Sequence, residues 1–157
     1  MTTRLDTAIG PIGIKAENDR VQHIYLPGNT DALLADSAQP TGRVGALLDQ
    51  LRRYFAGEAV AFDLDVLATC GTPFQQRVRQ LCAEIPVGET RRYAKLAESA
   101  GSPKAARAVG GVMAGNPYAI IIPCHRVLST TGLGGYAGGL DAKRWLLAHE
   151  KTMANSC

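Results

Sequence analysis

The chain has 157 residues, 46% hydrophobic and 20% charged, with a formal net charge of +3. That balance excludes fibrous and disordered classes and fits one globular domain or two small ones. The longest apolar run, Ala119 to Pro123, is far short of the roughly 20 residues that span a bilayer, and MTTRLDTAIG lacks a signal peptide's apolar core, so a cytoplasmic protein with no membrane partner is expected.

Residues 3 to 27 alternate short apolar stretches with turn signals, GPIG at 10–13 and ENDR at 17–20, and predict a small three-stranded antiparallel meander. TGRVGALLDQLRRYF, 41–55, spaces Val44, Leu47, Leu48, Leu51 and Tyr54 or Phe55 as one amphipathic helix. The looser AGEAVAFDLDVLATCG follows, and a domain boundary is placed near residue 70, giving units 1–70 and 71–157. TPFQQRVRQLCAEIP then predicts a helix with Thr72 as N-cap and Pro73 at the first helical position, closing at Pro86.

Residues 93–100 predict a helix that ends at Gly101, and a second starts at Ser102-Pro103 and runs to Asn116-Pro117. Two short helices joined by a Gly-containing turn make a helix-turn-helix. The III run before Pro123 reads as a strand, TGLGGYAGG as a glycine-rich loop, and Leu140 to Glu150 as a last helix with Leu140, Trp145, Leu146 and His149 available to a core. The expected fold class is therefore α/β in the α+β sense: an N-terminal antiparallel three-stranded sheet with a helix, then a mainly helical C-terminal domain.

Between Gln75 and Arg107 seven Lys or Arg face three acidic residues. Such a segment suits an anionic partner such as a nucleic acid, and a solvated helix face explains the charge alone equally well. The cysteines at 70, 82, 124 and 157 have neither zinc-finger nor disulfide-framework spacing. No metal and no cofactor are expected.

The second helix of the helix-turn-helix carries Ala105, Ala106, Ala108, Gly110, Gly111 and Ala114, with Arg107 and Met113 as the long side chains near its middle. It cannot send a row of long side chains into a major groove. Tight core packing would explain a bald helix. A smooth helix with one long cation also suits entry into a minor groove, with the guanidinium as a wedge that displaces a base.

A cysteine after an apolar run is ordinarily inert core. Cys124 is followed at once by His125 and Arg126, a base and a positive charge that favour a nucleophilic thiolate. Adjacent strand residues point to opposite faces, so a turn or a bridging water is needed to join Cys124 and His125.

GTPFQQRVRQLCAEIPVGET, YAKLA, SPKAARAVGGVMAGNP, IIIPCHRV and GGYAGGLDAKRWLLAHE together resemble the O6-alkylguanine-DNA alkyltransferases, direct-reversal DNA repair proteins, almost continuously over residues 71–150. PCHR alone would say little; its combination with the AARAVG helix and the GYAGG loop is specific. The resemblance implies that Cys124 takes the alkyl group from guanine O6 and is spent after one turnover. His125 would remove the thiol proton through a water, and Glu150 would orient the imidazole. Asn116 would be a hinge between the helix-turn-helix and the active-site strand. The partner would be double-stranded DNA containing O6-alkylguanine, bound by a monomer.

The same resemblance places the 103–114 helix in the minor groove, with Ala105, Ala106, Ala108 and Gly110 against DNA, Arg107 in the space of the flipped nucleotide, and Tyr93 rotating it and protonating the base. The carbonyls of Cys124 and Val127 and the amide of Ala137 would read the guanine edge between Tyr136 and Met113. Departures from the family pattern are Arg79, where relatives often carry Trp, which implies a phosphate contact or solubility, and Ala119 and Ala137, which imply a pocket open to alkyl groups larger than methyl. Rival readings are a catalytically silent alkylguanine-binding protein, a Cys-His hydrolase and a transcriptional regulator.

Overall fold

The computed structural model describes residues 2–28 and 39–154, and the chain divides into two units, Met1–Ala68 and Thr69–Cys157. In the first, strands β1 (Thr2–Thr7), β2 (Gly10–Glu17) and β3 (Arg20–Tyr25) pair antiparallel in the order β1-β2-β3. The expected turn at GPIG is instead the start of β2. The chain reverses before it, where Gly10 takes φ +109 and the Thr7 hydroxyl donates to the Gly10 carbonyl. The second reversal falls at Asn18 and Asp19, both at positive φ, as an Asn-Asp pair permits in a two-residue hairpin.

Helix α1 (Gly42–Phe55) buries Val44, Leu47, Leu48, Leu51 and Tyr54, the face read from the spacing. Thr41 makes no side-chain cap; the Asp19 carboxylate accepts from the Arg43 and Val44 amides and satisfies the helix start from the hairpin tip.

The second unit begins with α2 (Pro73–Ala83), where Thr72 and Gln75 form a reciprocal capping box. Strand β4 (Arg91–Arg92) leads into α3 (Tyr93–Ser99), which packs against α4 (Ala106–Ala114) as the expected helix-turn-helix. Helix α4 starts later than Ser102-Pro103 predicts. The Ser102 amide is spent on Ala97 O and the Gly101 amide on Glu98 O, a closure that ends α3 with Gly101 at φ +83. Ser102 to Ala105 then forms one turn, with Ala105 N donating to Ser102 O.

The apolar run before Cys124 is a buried turn, not a strand. Ile122 N donates to Tyr118 O, Ile120 sits at φ +73, and Cys124–Arg126 form a short 3-10 helix. The strand pairing comes afterwards, where β5 (Val127–Leu128) lies parallel to β4. Helix α5 (Leu140–Ala154) extends a turn beyond the expected end and buries Ala142, Lys143, Leu146, Glu150 and Met153. Leu140 is 41% exposed, while Trp145 and His149 stack on each other, half-buried. Of the four residues expected to face the core, only Leu146 is fully buried.

Candidate active site

A positive φ at Ile120 is costly for a β-branched residue, and the turn around it is held by Asn116. Its side-chain amide donates to Ile122 O at 2.9 Å, and its oxygen accepts from Tyr118 N at 3.0 Å. One side chain thus ties the end of α4 to the segment that delivers Cys124. The parallel pairing of Arg91 with Val127 and of Arg92 with Leu128 ties the start of α3 to the other side of Cys124. Tyr93 therefore begins its helix beside the sulfur.

His125, Arg126 and Glu150 form a buried polar triad. His125 Nε2 lies 2.7 Å from Glu150 Oε2. Arg126 Nε donates to Glu150 Oε1 at 2.7 Å, its Nη2 to Oε2 at 2.9 Å and its Nη1 to Ile85 O at 2.6 Å. Burial by itself would push the Glu150 carboxyl up, but the bonds from His125 and Arg126 hold it at about 2. Burial lowers the His125 imidazole below its ordinary value, and the opposing pull of Glu150 does not offset this. A neutral imidazole that donates Nε2–H to Glu150 carries its lone pair on Nδ1, which is buried and without a hydrogen-bond partner in the protein.

Cys124 Sγ is buried, and desolvation raises its thiol; the Asn116 side chain and the Lys143 charge oppose that. The sulfur also bears on its surroundings. After burial, it is the next cause that raises the Tyr93 and Tyr136 phenols. Both hydroxyls therefore keep their protons. The Tyr136 ring meets the His125 ring edge-on at 6.4 Å, and its hydroxyl is buried without a protein partner.

Lys143 is fully buried, and its ammonium donates to the carbonyls of Val127, Leu133 and Gly135. It thereby fastens the glycine-rich loop to the strand after Cys124. Close approach does the rest: Gly134 sits at φ +74, and a Cβ there would fall 2.9 Å from the Tyr93 hydroxyl. The Val127 carbonyl, expected to read a base edge, already accepts from Lys143, and the Cys124 carbonyl from Val127 N.

The structure thus brings Cys124, His125, Glu150, Asn116, Tyr93 and Tyr136 together. Val127 is buried beside them, and Ala137 is exposed on the loop. Met113 lies on the buried face of α4 with Val109 and Val112. Arg107, Ala108, Gly111 and Ala114 form the exposed face of that helix, and Ala105, Ala106 and Gly110 are half-exposed. Tight core packing does not explain the glycines, because a Cβ at Gly110 or Gly111 would meet nothing within 4 Å.

Arg79 carries neither a phosphate-ready surface position nor solubility. It is 8% exposed and donates to Cys70 O. The residues that sequence reasoning missed are Arg126 as a partner of Glu150, which no local pattern signals, and Lys143 as the loop clamp, whose signal is that Lys143, Leu146 and Glu150 share one helix face. Among the described residues, no group of three or more His, Cys, Asp or Glu could hold a metal ion, and no helix is long and apolar enough to cross a membrane.

The family model described as "6-O-methylguanine DNA methyltransferase, DNA binding domain" matches residues 73–152. The methylated-DNA--protein-cysteine methyltransferase of Mycobacterium tuberculosis (strain ATCC 25618 / H37Rv) is 42% identical over 152 residues, covering 96% of this chain and 92% of its own. Among solved structures, Mycobacterium tuberculosis OGT in complex with DNA superposes with a TM-score of 0.84 at 42% identity, covering 97% of this chain and 93% of that one. The O6-methylguanine-DNA methyltransferase of Pyrococcus kodakaraensis strain KOD1 does so with a TM-score of 0.64 at 25% identity, covering 96% and 99%. The chain belongs to the methylated-DNA--protein-cysteine methyltransferase family.

Proposed function

We propose that this protein repairs DNA by moving an alkyl group, methyl first, from O6 of guanine in double-stranded DNA to Cys124, once per molecule. The observation that carries this reading is the buried His125–Glu150 pair directly after Cys124, with the imidazole neutral and its Nδ1 unpartnered in the protein. A general base held in one tautomer beside a buried thiol is the arrangement that activates a sulfur nucleophile.

In the reaction, Nδ1 of His125 takes the thiol proton through a water, and Glu150 stabilises the imidazolium. The sulfur attacks the alkyl carbon, the S–C bond forms as the C–O6 bond breaks, and the electron pair passes into the guanine ring. Tyr93, whose phenol keeps its proton, donates it there so that the base leaves neutral. Asn116 and Lys143 moderate the cost of a buried anionic sulfur. A thioether has no leaving route back, so the chain is consumed.

The substrate carbon lies inside a duplex, so the nucleotide must be flipped out, which costs a few kcal/mol and less for a weakened pair. The exposed Ala/Gly face of α4 enters the minor groove, and Arg107 occupies the place of the extruded nucleotide. Tyr93 rotates the base, and Met113, Val127, Tyr136 and Ala137 bound the pocket. The small residue Ala137 on the loop leaves room for alkyl groups larger than methyl.

The test is the intact mass of the chain after mixing with an excess of O6-methylguanine duplex. A gain of one methyl group per chain, followed by no further conversion of DNA, is expected. Unchanged mass with tight binding would point to a silent recognition protein, and repeated turnover on an acyl substrate to a hydrolase.

A further inference from the structure

Under the exposed residue Cys70 sits a buried cation with no carboxylate partner among the described residues. Arg79, on α2, is 8% exposed, enters none of the ion pairs among the described residues, and has Nε buried without a hydrogen-bond partner. Its Nη1 donates to Cys70 O at 2.9 Å and lies 3.7 Å from Cys70 Sγ. From the other side, the Tyr118 hydroxyl lies 3.4 Å from the same sulfur. Burial, and then the contact with Cys70, raises the Tyr118 phenol, so the hydroxyl keeps its proton and is able to donate to the sulfur. Gly71, at φ +90, lets the chain fold this closely over the guanidinium, since a Cβ there would fall 2.9 Å from Arg79 Nη1.

A guanidinium taken out of water without a counter-charge is costly. Among the partners of Arg79, the Cys70 sulfur is the group that can accept negative charge. Cys82 and Cys124 are buried, whereas Cys70 is open to a reagent. We propose that Cys70 is a second reactive thiol, a modification site for small-molecule disulfides that is primed by Arg79 and Tyr118. In the step, the Cys70 thiol gives its proton to solvent and its sulfur attacks one sulfur of the disulfide. The new S–S bond forms as the old one breaks, and the other half leaves as a thiolate. The disulfide is the oxidant, and the product is a mixed disulfide on Cys70.

The site is independent of the transfer chemistry at Cys124. It neighbours the turn that supports Cys124, because Tyr118 also gives its amide to Asn116 and its carbonyl to Ile122 N.

The experiment treats the full chain with glutathione disulfide at pH 7 and follows each cysteine by peptide mass. The reference is a synthetic peptide of residues 67–76, which keeps the neighbours of Cys70 and loses Arg79 and Tyr118. Cys70 in the folded chain should react faster than in the peptide, and Arg79→Met should slow it by about threefold. Tyr118→Phe, which keeps the ring and removes the donor, should also slow it and serves if Arg79→Met does not fold. A folded-chain rate no higher than the peptide's, or one unchanged by the substitutions, overturns the proposal.

Discussion

Glu150 Oε2 lies 2.7 Å from His125 Nε2 while the same carboxylate is gripped by the Arg126 guanidinium at 2.7 and 2.9 Å. The carboxylate is therefore both the orienter of the proposed base and the counter-charge of a buried arginine. Glu150→Gln keeps the shape and removes the charge. It should cost about 3–5 kcal/mol of stability by leaving Arg126 buried and uncompensated, and should slow alkyl transfer as well. Urea unfolding at pH 7 and single-turnover kinetics measure the two; a variant as stable as wild type would contradict the triad.

The same groups set an acid response. The Glu150 carboxyl titrates at about 2 in the fold and at its ordinary 4.5 when unfolded, so its stabilisation is complete above 4.5 and is lost as pH falls toward 2. His125 is lowered from 6.5, so below that pH the unfolded chain takes up a proton that the fold resists, and stability falls. Unfolding midpoints should be flat in pH above 6.5 as far as these two groups act, decline below it, and decline further below 4.5. In Glu150→Gln the acid-most decline should shrink.

Gly110 and Gly111 face open space on a helix, where each glycine costs about 0.5–1 kcal/mol relative to alanine. Gly110→Ala and Gly111→Ala should raise the melting temperature and weaken binding to an alkylated duplex. If both variants bind DNA like wild type, α4 does not present this face to the groove.

Lys143→Met should leave three carbonyls without their donor, at about 1–3 kcal/mol for each group that stays buried and unsatisfied. Limited proteolysis should then cut within the 129–139 loop sooner than in wild type. Equal cleavage would mean that other contacts hold the loop.

Much of the helical framework was legible in sequence because its signals are local: the Thr72-Pro73 start, the Gly101 stop and the apolar spacing of α1. What escaped depends on distant partners. Ser102 reads as an N-cap, yet its amide closes the preceding helix. Ile120 to Ile122 have strand propensity, yet Asn116 bends them into a turn. On α5 the binary pattern favoured Leu140 and Trp145, whereas the buried face carries Lys143 and Glu150, charges whose burial is tolerable only with the carbonyls, imidazole and guanidinium that other segments supply. Cys124 and His125 were legible as a pair, and the resemblance added Glu150, Tyr93 and Asn116. No local pattern revealed that Arg126 completes the triad.

The most direct measurement places an isotope label on the methyl group of O6-methylguanine in a duplex and maps it by peptide mass in wild type and Cys124→Ser. The account predicts stoichiometric label on Cys124 in wild type and none on the variant. Label that stays on the DNA, or that appears on Cys70, Cys82 or Cys157 in place of Cys124, would contradict it.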